Sequence, residues 1–400
     1  MEAYALEWLT LLVRWLHLVA AIAWIGTSFY FIALDYALVS PRDARDLARG
    51  VGGEAWEIHG GGFYRVEKFT LAPAELPERL HWFKWEAYTT WLSGFGLLVL
   101  LYYLRADAYL IDRQVADLAP WQAVAISLGL LLGGWLVYDW LCRRLGHRPW
   151  VLAGLLALLI VAVAWGSSHW FSGRAVYLQV GAMLGTWMAA NVFFVIIPGQ
   201  REMVAAKLAG REPDPRYGWA GKQRSVHNNY LTLPVLFAMM SNHFPLTYSH
   251  PHGWLVLVAL MGIAAWFRHF FNLRHQGRTV WAIPASSAAA LTLLALWMAP
   301  LDRLRPPMAS TAPAVEFTTV QRIVQQRCVT CHSAQPSYPG FPAAPKGVVF
   351  DTPEQIRAQA AAIYQQAVQT QVMPLGNLTQ MTPAERAQLA DWYTHGAPGP

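Results

Sequence analysis

The sequence predicts an all-α chain: a polytopic membrane helix bundle of about eight spans over 1–300, a linker over 301–316, and a small polar helical domain over 317–400. Three observations lead there. Hydrophobic residues make up 55% of the chain and charged ones only 14%, against roughly 25% charged in an ordinary globular domain. Apolar runs of the length a bilayer requires, about 17–25 residues, recur near 8–38, 87–104, 121–142, 150–171, 175–197, 226–243, 252–267 and 280–300. After Pro300 the texture changes. LDRLRPPMASTAPA is rich in Pro and Ala and reads as an extended, semi-rigid linker, and from Phe317 onward short helical patterns alternate with turn residues.

Taken in order, the first run follows MEAYALEWLT, which lacks the positive n-region and small-residue cleavage site of a secretory signal; it reads as a retained first span. Loop 39–86 is polar, and its glycines at 52–53 and 60–62 lie without strand context and are expected in turns. The third and fourth runs are the clearest spans, and the seventh is short enough that its helix should continue through Trp266–Phe271. Twenty tryptophans suit a membrane protein, because indole rings prefer the headgroup boundary. The net charge of +6 includes no Lys/Arg run of the nucleic-acid type, so no nucleic-acid partner is expected. It follows the loops instead. Loops 39–86, 143–149, 198–225 and 268–279 hold seven, three, six and three Lys or Arg, whereas 105–120, 172–174 and 244–251 hold two, one and none. By the positive-inside rule both termini lie outside the cytoplasm.

The polar domain carries Cys328-Val329-Thr330-Cys331-His332. Two thiols three residues apart on a helical turn can add to the two haem vinyl groups, and the next residue aims its imidazole at the iron. The preceding FTTVQRIVQQR is helical in period and delivers the motif from its C-terminal end. A zinc site would need two further ligands at suitable spacing, and no second pair exists; Cys142 stands apart at a helix end. Haem attachment takes place on the outer face of the bacterial inner membrane, which agrees with the charge count. Gln371-Val372-Met373-Pro374 followed by MTPAERAQLADWY resembles the end of small class I cytochromes c, with Met373 opposite His332 as the second axial ligand. Met381 is the rival thioether, better suited to packing, and Thr382 with Glu385 fits a capping box.

Ionisable residues inside spans cost several kcal/mol unless paired, so each is a functional candidate. Arg14, His17, Asp35 and Asp139 qualify. His17 shares one helix face with Ala21, Trp24, Ser28, Phe31 and Asp35, and is either hydrogen-bonded to a neighbouring helix, a b-type haem ligand or a substrate contact. The sixth run contains Ser225-Val226-His227-Asn228-Asn229-Tyr230, an interior Pro234, and a stripe of Asn228, Thr232, Met239 and Asn242. Interhelical hydrogen bonds account for one or two such amides, less comfortably for the cluster. His169, His243, His250 and His252 lie toward the outer face, His227 and His269 toward the cytoplasm. No nucleotide-binding fingerprint or P-loop occurs.

Together RWLHLVAAIAWIGTSFYFIALDY at 14–36, IIPGQ at 196–200, SVHNNYLTLPVLFAMMSNHFP at 225–245 and the CVTCH domain resemble the membrane-bound bacterial urate oxidase family, an eight-span domain fused to a cytochrome c. The first-span H-x(6)-W-x-G pattern by itself also resembles haem-binding protoporphyrinogen oxidases and copper-resistance membrane proteins. The resemblance implies oxidation of urate to 5-hydroxyisourate, with electrons passed to one covalent haem c and on to a downstream cytochrome c or terminal oxidase. His227, Asn228 and Asn229 are then candidates to hold urate, with His227 as base. Urate bound at the cytoplasmic side would need an intermediate such as a b-type haem on His17, since about 30 Å of hydrocarbon separates the faces. Alternatives are a dehydrogenase for a quinol or another small reductant, and a non-catalytic electron conduit or haem- or copper-handling protein.

Overall fold

Among the described residues, each apolar run forms a helix near its expected place, though the helices differ in length. The computed structural model describes residues 2–299, 315–339 and 341–400, so the linker expected over 301–316 falls almost wholly outside the described residues. The helices are α1 (Glu2–Ala37), α3 (Trp85–Leu98, extended by a wide turn Val99–Tyr103), α5 (Pro120–Leu145), α6 (Pro149–Ser167), α7 (Gly173–Asn191), α9 (Pro215–Met240), α11 (Gly253–His275) and α12 (Ala282–Trp297). A wide turn at Val192–Ile196 carries α7 into α8 (Ile197–Leu208). Short helices α2 (Ala44–Ala48), α4 (Ala106–Tyr109) and α10 (Pro245–Tyr248) lie in the connections. Tyr4–Ala37, Pro120–Leu145, Pro149–Ser167, Gly173–Leu208 and Gly253–His275 are long and apolar enough to cross a membrane; Ala282–Trp297 is apolar but shorter. The helix of the seventh run does continue through Trp266–Phe271.

The all-α expectation needs one correction. Loop 39–86 contains an antiparallel hairpin, β1 (Val51–His59) with β2 (Gly62–Phe69), paired from Val51↔Phe69 to His59↔Gly62. Gly60 and Gly61, both at positive φ, form its two-residue turn, the geometry that matches strand twist. Gly52 and Gly53 lie at a register shift in β1 rather than in a turn. Arg65 of β2 is paired with Asp46 of α2 and with Glu54 at 2.6 Å, tying hairpin to helix. This pairing was concealed by charged side chains on both faces of the strands.

The bundle is built around α7. Its Tyr177, Val180, Met183, Leu184 and Trp187 are fully buried, whereas α1 turns Leu11, Leu12, Trp15, Leu18 and Ile22 outward, as lipid-facing residues should. The Tyr138 and Trp187 rings stack at 4.6 Å and join α5 to α7.

Residues 315–400 form a second core. The helices are α13 (Phe317–Arg327), α14 (Pro353–Ala358), α15 (Ala360–Ile363) and α16 (Pro383–Thr394). Val320, Ile323 and Val324 on one face of α13 pack with Ile356, Leu389 and Trp392, the i, i+3, i+4 spacing of a core-facing stripe. Thr382 and Glu385 make the expected capping box at the start of α16, and Met381 is buried in this core.

Candidate functional site

The Cys-x-x-Cys-His segment leaves the end of α13 as a further turn, with Cys331 and His332 amides donating to the Cys328 carbonyl at 3.1 and 2.9 Å. The thiols are not joined in a disulfide. Burial pushes the Cys328 thiol up to about 12, and the Cys331 thiol is raised for the same reason. His332 Nδ1 lies 3.0 Å from the Val348 carbonyl. That bond holds the proton on Nδ1 and leaves Nε2 as the lone-pair nitrogen, the arrangement of an iron-ligating imidazole. The Met373 loop is clamped from behind: the Arg386 guanidinium, itself buried, donates to the Met373 carbonyl at 2.8 Å and to the Ala367 carbonyl. Two thiols, a tautomerically fixed imidazole and a half-buried thioether around one small core could hold a c-type haem. Among the described residues, no group of three or more His, Cys, Asp and Glu side chains converges to hold a metal ion.

This domain sits against the connection between α3 and α5. Tyr338 donates to Asp107 at 2.6 Å, and burial together with that carboxylate raises the phenol pKa. The Arg105 guanidinium lies 5.5 Å from the Phe341 ring centre. Gly376, three residues after Met373, approaches so closely that a Cβ there would stand 2.7 Å from the Ile111 carbonyl oxygen. Val372 packs on the core of the bundle itself. The loop bearing Met373 is thus also the docking surface.

Within the bundle, the polar residues of α9 fall into two groups. The first is saturated. Arg224 is paired with Asp139 at 2.7 Å and donates to Asn191 Oδ1 at 3.1 Å. Asn191 Nδ2 donates to Tyr138 Oη at 2.9 Å and to Asn228 Oδ1 at 2.8 Å. Asn228 Nδ2 donates to the Met188 carbonyl at 3.0 Å. The Tyr138 hydroxyl, already accepting, has its proton left for His227 Nδ1 at 2.9 Å. Both ends of the Asn228 amide are taken, so this group binds α5, α7 and α9 together. Asn229, on the adjoining face, accepts from Arg268 Nε of α11 at 3.1 Å. His227, Asn228 and Asn229 are therefore neighbours in sequence that serve different surroundings.

His17 is hydrogen-bonded to α3: its Nδ1 lies 3.0 Å from the Thr90 carbonyl and 3.1 Å from Ser93 Oγ. Gly94 lets the ring approach, since a Cβ there would stand 2.8 Å from His17 Cε1. Asp35 is paired with Lys222 at 2.8 Å and with Lys68, and Arg14 is exposed on α1. A cavity of about 340 Å³ at the end nearest the C-terminal domain is lined by His169, Tyr177, Tyr248, His250 and Trp254. Arg224 and Arg268, which sequence reasoning assigned to charged loops, are both buried in helices. Their signal was an Arg within one or two turns of an apolar run. Asn191 and Asn272 carried a similar signal, as amides inside otherwise apolar helices.

Residues 3–299 match the family model described as urate oxidase N-terminal. No curated protein and no solved structure matches the chain.

Proposed function

The chain belongs to the urate oxidase N-terminal family, and from that premise we propose that it oxidises urate to 5-hydroxyisourate and delivers the electrons to a haem c on Cys328, Cys331, His332 and Met373. The match over 3–299 carries the substrate; the donor set of the C-terminal domain carries the acceptor. In the overall reaction one urate anion and one water give neutral 5-hydroxyisourate, one proton and two electrons. Bound at its site, haem c supplies one-electron acceptance and a potential raised by the thioether, so each urate requires two transfers.

The chain's own residues then have separable tasks. Cys328 and Cys331 anchor the group, the Val348 carbonyl orients His332, and Arg386 fixes the loop that presents Met373. Tyr338 with Asp107, and Gly376 on the Ile111 carbonyl, hold that loop against the bundle. The uncommitted Nε2 of His17 offers a ligand for a b-type haem part-way across the membrane, which substrate bound at the inner side would need. The lysine and arginine distribution supports an inner-membrane protein with its C-terminal domain outside the cytoplasm. There a soluble cytochrome c or terminal oxidase takes the electrons onward.

The test is an anaerobic titration of the detergent-purified protein with urate. A rising c-type α band with urate consumed, and no response to other purines, is the expected result; an added b-type band would reveal the haem at His17. A haem that dithionite reduces but urate does not would refute the proposal and point to an electron conduit or a haem-handling protein.

A further inference from the structure

The bundle treats its two buried arginines very differently. Arg224 has a carboxylate partner in Asp139 and an amide partner in Asn191. Arg268 is equally buried, at 5% exposure, yet among the described residues it has no ion pair and a single hydrogen bond, from Nε to Asn229. Asp35 on α1 is shared by Lys68 and Lys222 instead. The Phe29 ring centre lies 3.8 Å from the guanidinium carbon, covering one of its faces.

The same place collects the unsatisfied polar atoms. Six buried side-chain atoms lack a partner among the described residues, and four of them are Arg268 Nη2, Asn229 Nδ2, and Nδ2 and Oδ1 of Asn272. Asn229 and Asn272 are 0% and 1% exposed. Arg268 and Asn272 are four residues apart on α11, hence on one face, and Asn229 of α9 accepts from Arg268. Leaving such atoms unpaired is costly, and an uncompensated buried guanidinium more so. A structural interface would have paired them, as the neighbouring Arg224 group is paired. The unmet groups are three donors, one of them cationic, and one acceptor. That inventory suits a planar anion with several carbonyl oxygens and a ring N–H.

We propose that Arg268, Asn229 and Asn272 form the binding site for the urate anion, a placement that rests on the urate reading above. Arg268 neutralises the charge and donates through Nη2, and Asn229 donates through Nδ2. Asn272 donates and accepts at once, which a simple inorganic anion would not use. Fifteen residues separate Arg268 from the start of α11, roughly 22 Å at the helical rise. Substrate therefore binds far from the end of the bundle on which the C-terminal domain docks.

The experiment measures binding of radiolabelled urate by equilibrium dialysis, with the full-length protein held reduced by dithionite so that no turnover occurs. The variants are Arg268→Gln and Asn272→Leu. Each is expected to weaken binding about tenfold or more, the worth of a charge-assisted or doubly used hydrogen bond. Without urate, Asn272→Leu should melt at or above the wild-type temperature, because hydrocarbon replaces an unpaired amide. At one urate concentration, urate should raise the melting temperature of the wild type more than that of either variant. If Arg268→Gln does not fold, Asn272→Leu decides. Wild-type affinity and turnover retained in the folded variants would overturn this site alone; a wild-type protein that neither binds urate nor is reduced by it would overturn the urate reading with it.

Discussion

Replacing Gly376 with Ala tests whether docking of the C-terminal domain controls delivery of electrons to it. Gly376 has φ of 57° and would carry a Cβ 2.7 Å from the Ile111 carbonyl and 3.1 Å from that of Ala108. Two costs follow. The left-handed conformation costs an alanine about 1–2 kcal/mol, and that cost stays with the domain whether docked or free. Overlap with backbone oxygens, which cannot swing aside like a side chain, adds about 1–3 kcal/mol. Only this second cost is relieved by undocking, so the docking equilibrium should shift by roughly 5- to 150-fold, at 1.4 kcal/mol per tenfold. Gly347→Ala supplies the control: its φ is 69°, but nothing lies within 4 Å of its Cβ position. Anaerobic stopped-flow reduction of the haem by urate is the assay, with direct reduction by dithionite as reference. Urate-driven reduction should slow in Gly376→Ala and hold in Gly347→Ala, while dithionite reduces both equally. Equal urate-driven rates in the two variants would refute a role for this contact.

Other expectations concern the scaffold and the ligand loop. Asp139→Asn leaves Arg224 buried without its carboxylate and should lower the unfolding free energy by about 3 kcal/mol; the double variant Asp139→Leu, Arg224→Met should recover most of it in denaturant titrations, and a double variant no better than the single would count against the pairing. Met373→Ala should keep the haem covalently attached but lower its midpoint potential in a redox titration, because the thioether favours the reduced iron. Glu385 has its pKa lowered: burial pushes it up, but the Thr382 amide and the Arg327 guanidinium more than offset that. A depressed folded-state pKa contributes stability above the ordinary carboxylate pKa, and that stability is lost as pH falls through the folded value. The C-terminal domain should therefore lose stability on acidification below the normal glutamate range, and Arg327→Met should move that loss to higher pH when followed by circular dichroism.

Much of this protein could be read from order along the chain. Apolar runs marked the places of the bundle's helices, and among the described residues five of the helices are long and apolar enough to cross a membrane. The positive-inside count survives the removal of Arg224 and Arg268, because seventeen cationic residues still oppose three. The Thr382–Glu385 cap and the packing role of Met381 are local patterns of this kind. The hairpin at Val51–Phe69 was missed because its strands gain their order from each other, with charged side chains masking the alternation.

Tertiary structure alone decided how the polar residues of the bundle divide. Three consecutive residues, His227, Asn228 and Asn229, point a third of a turn apart, so packing sends Asn228 into a closed network and Asn229 to an unmatched arginine. Whether a buried polar atom is paired depends on residues of other helices more than thirty positions away, and no spacing along one helix reports it. Sequence determined which segments become apolar helices, five of them long enough to cross a membrane, and where the Cys-x-x-Cys-His turn follows a helix. Only the packing of α9 against α7 and α11 showed which amides hold the bundle together and which remain unpartnered.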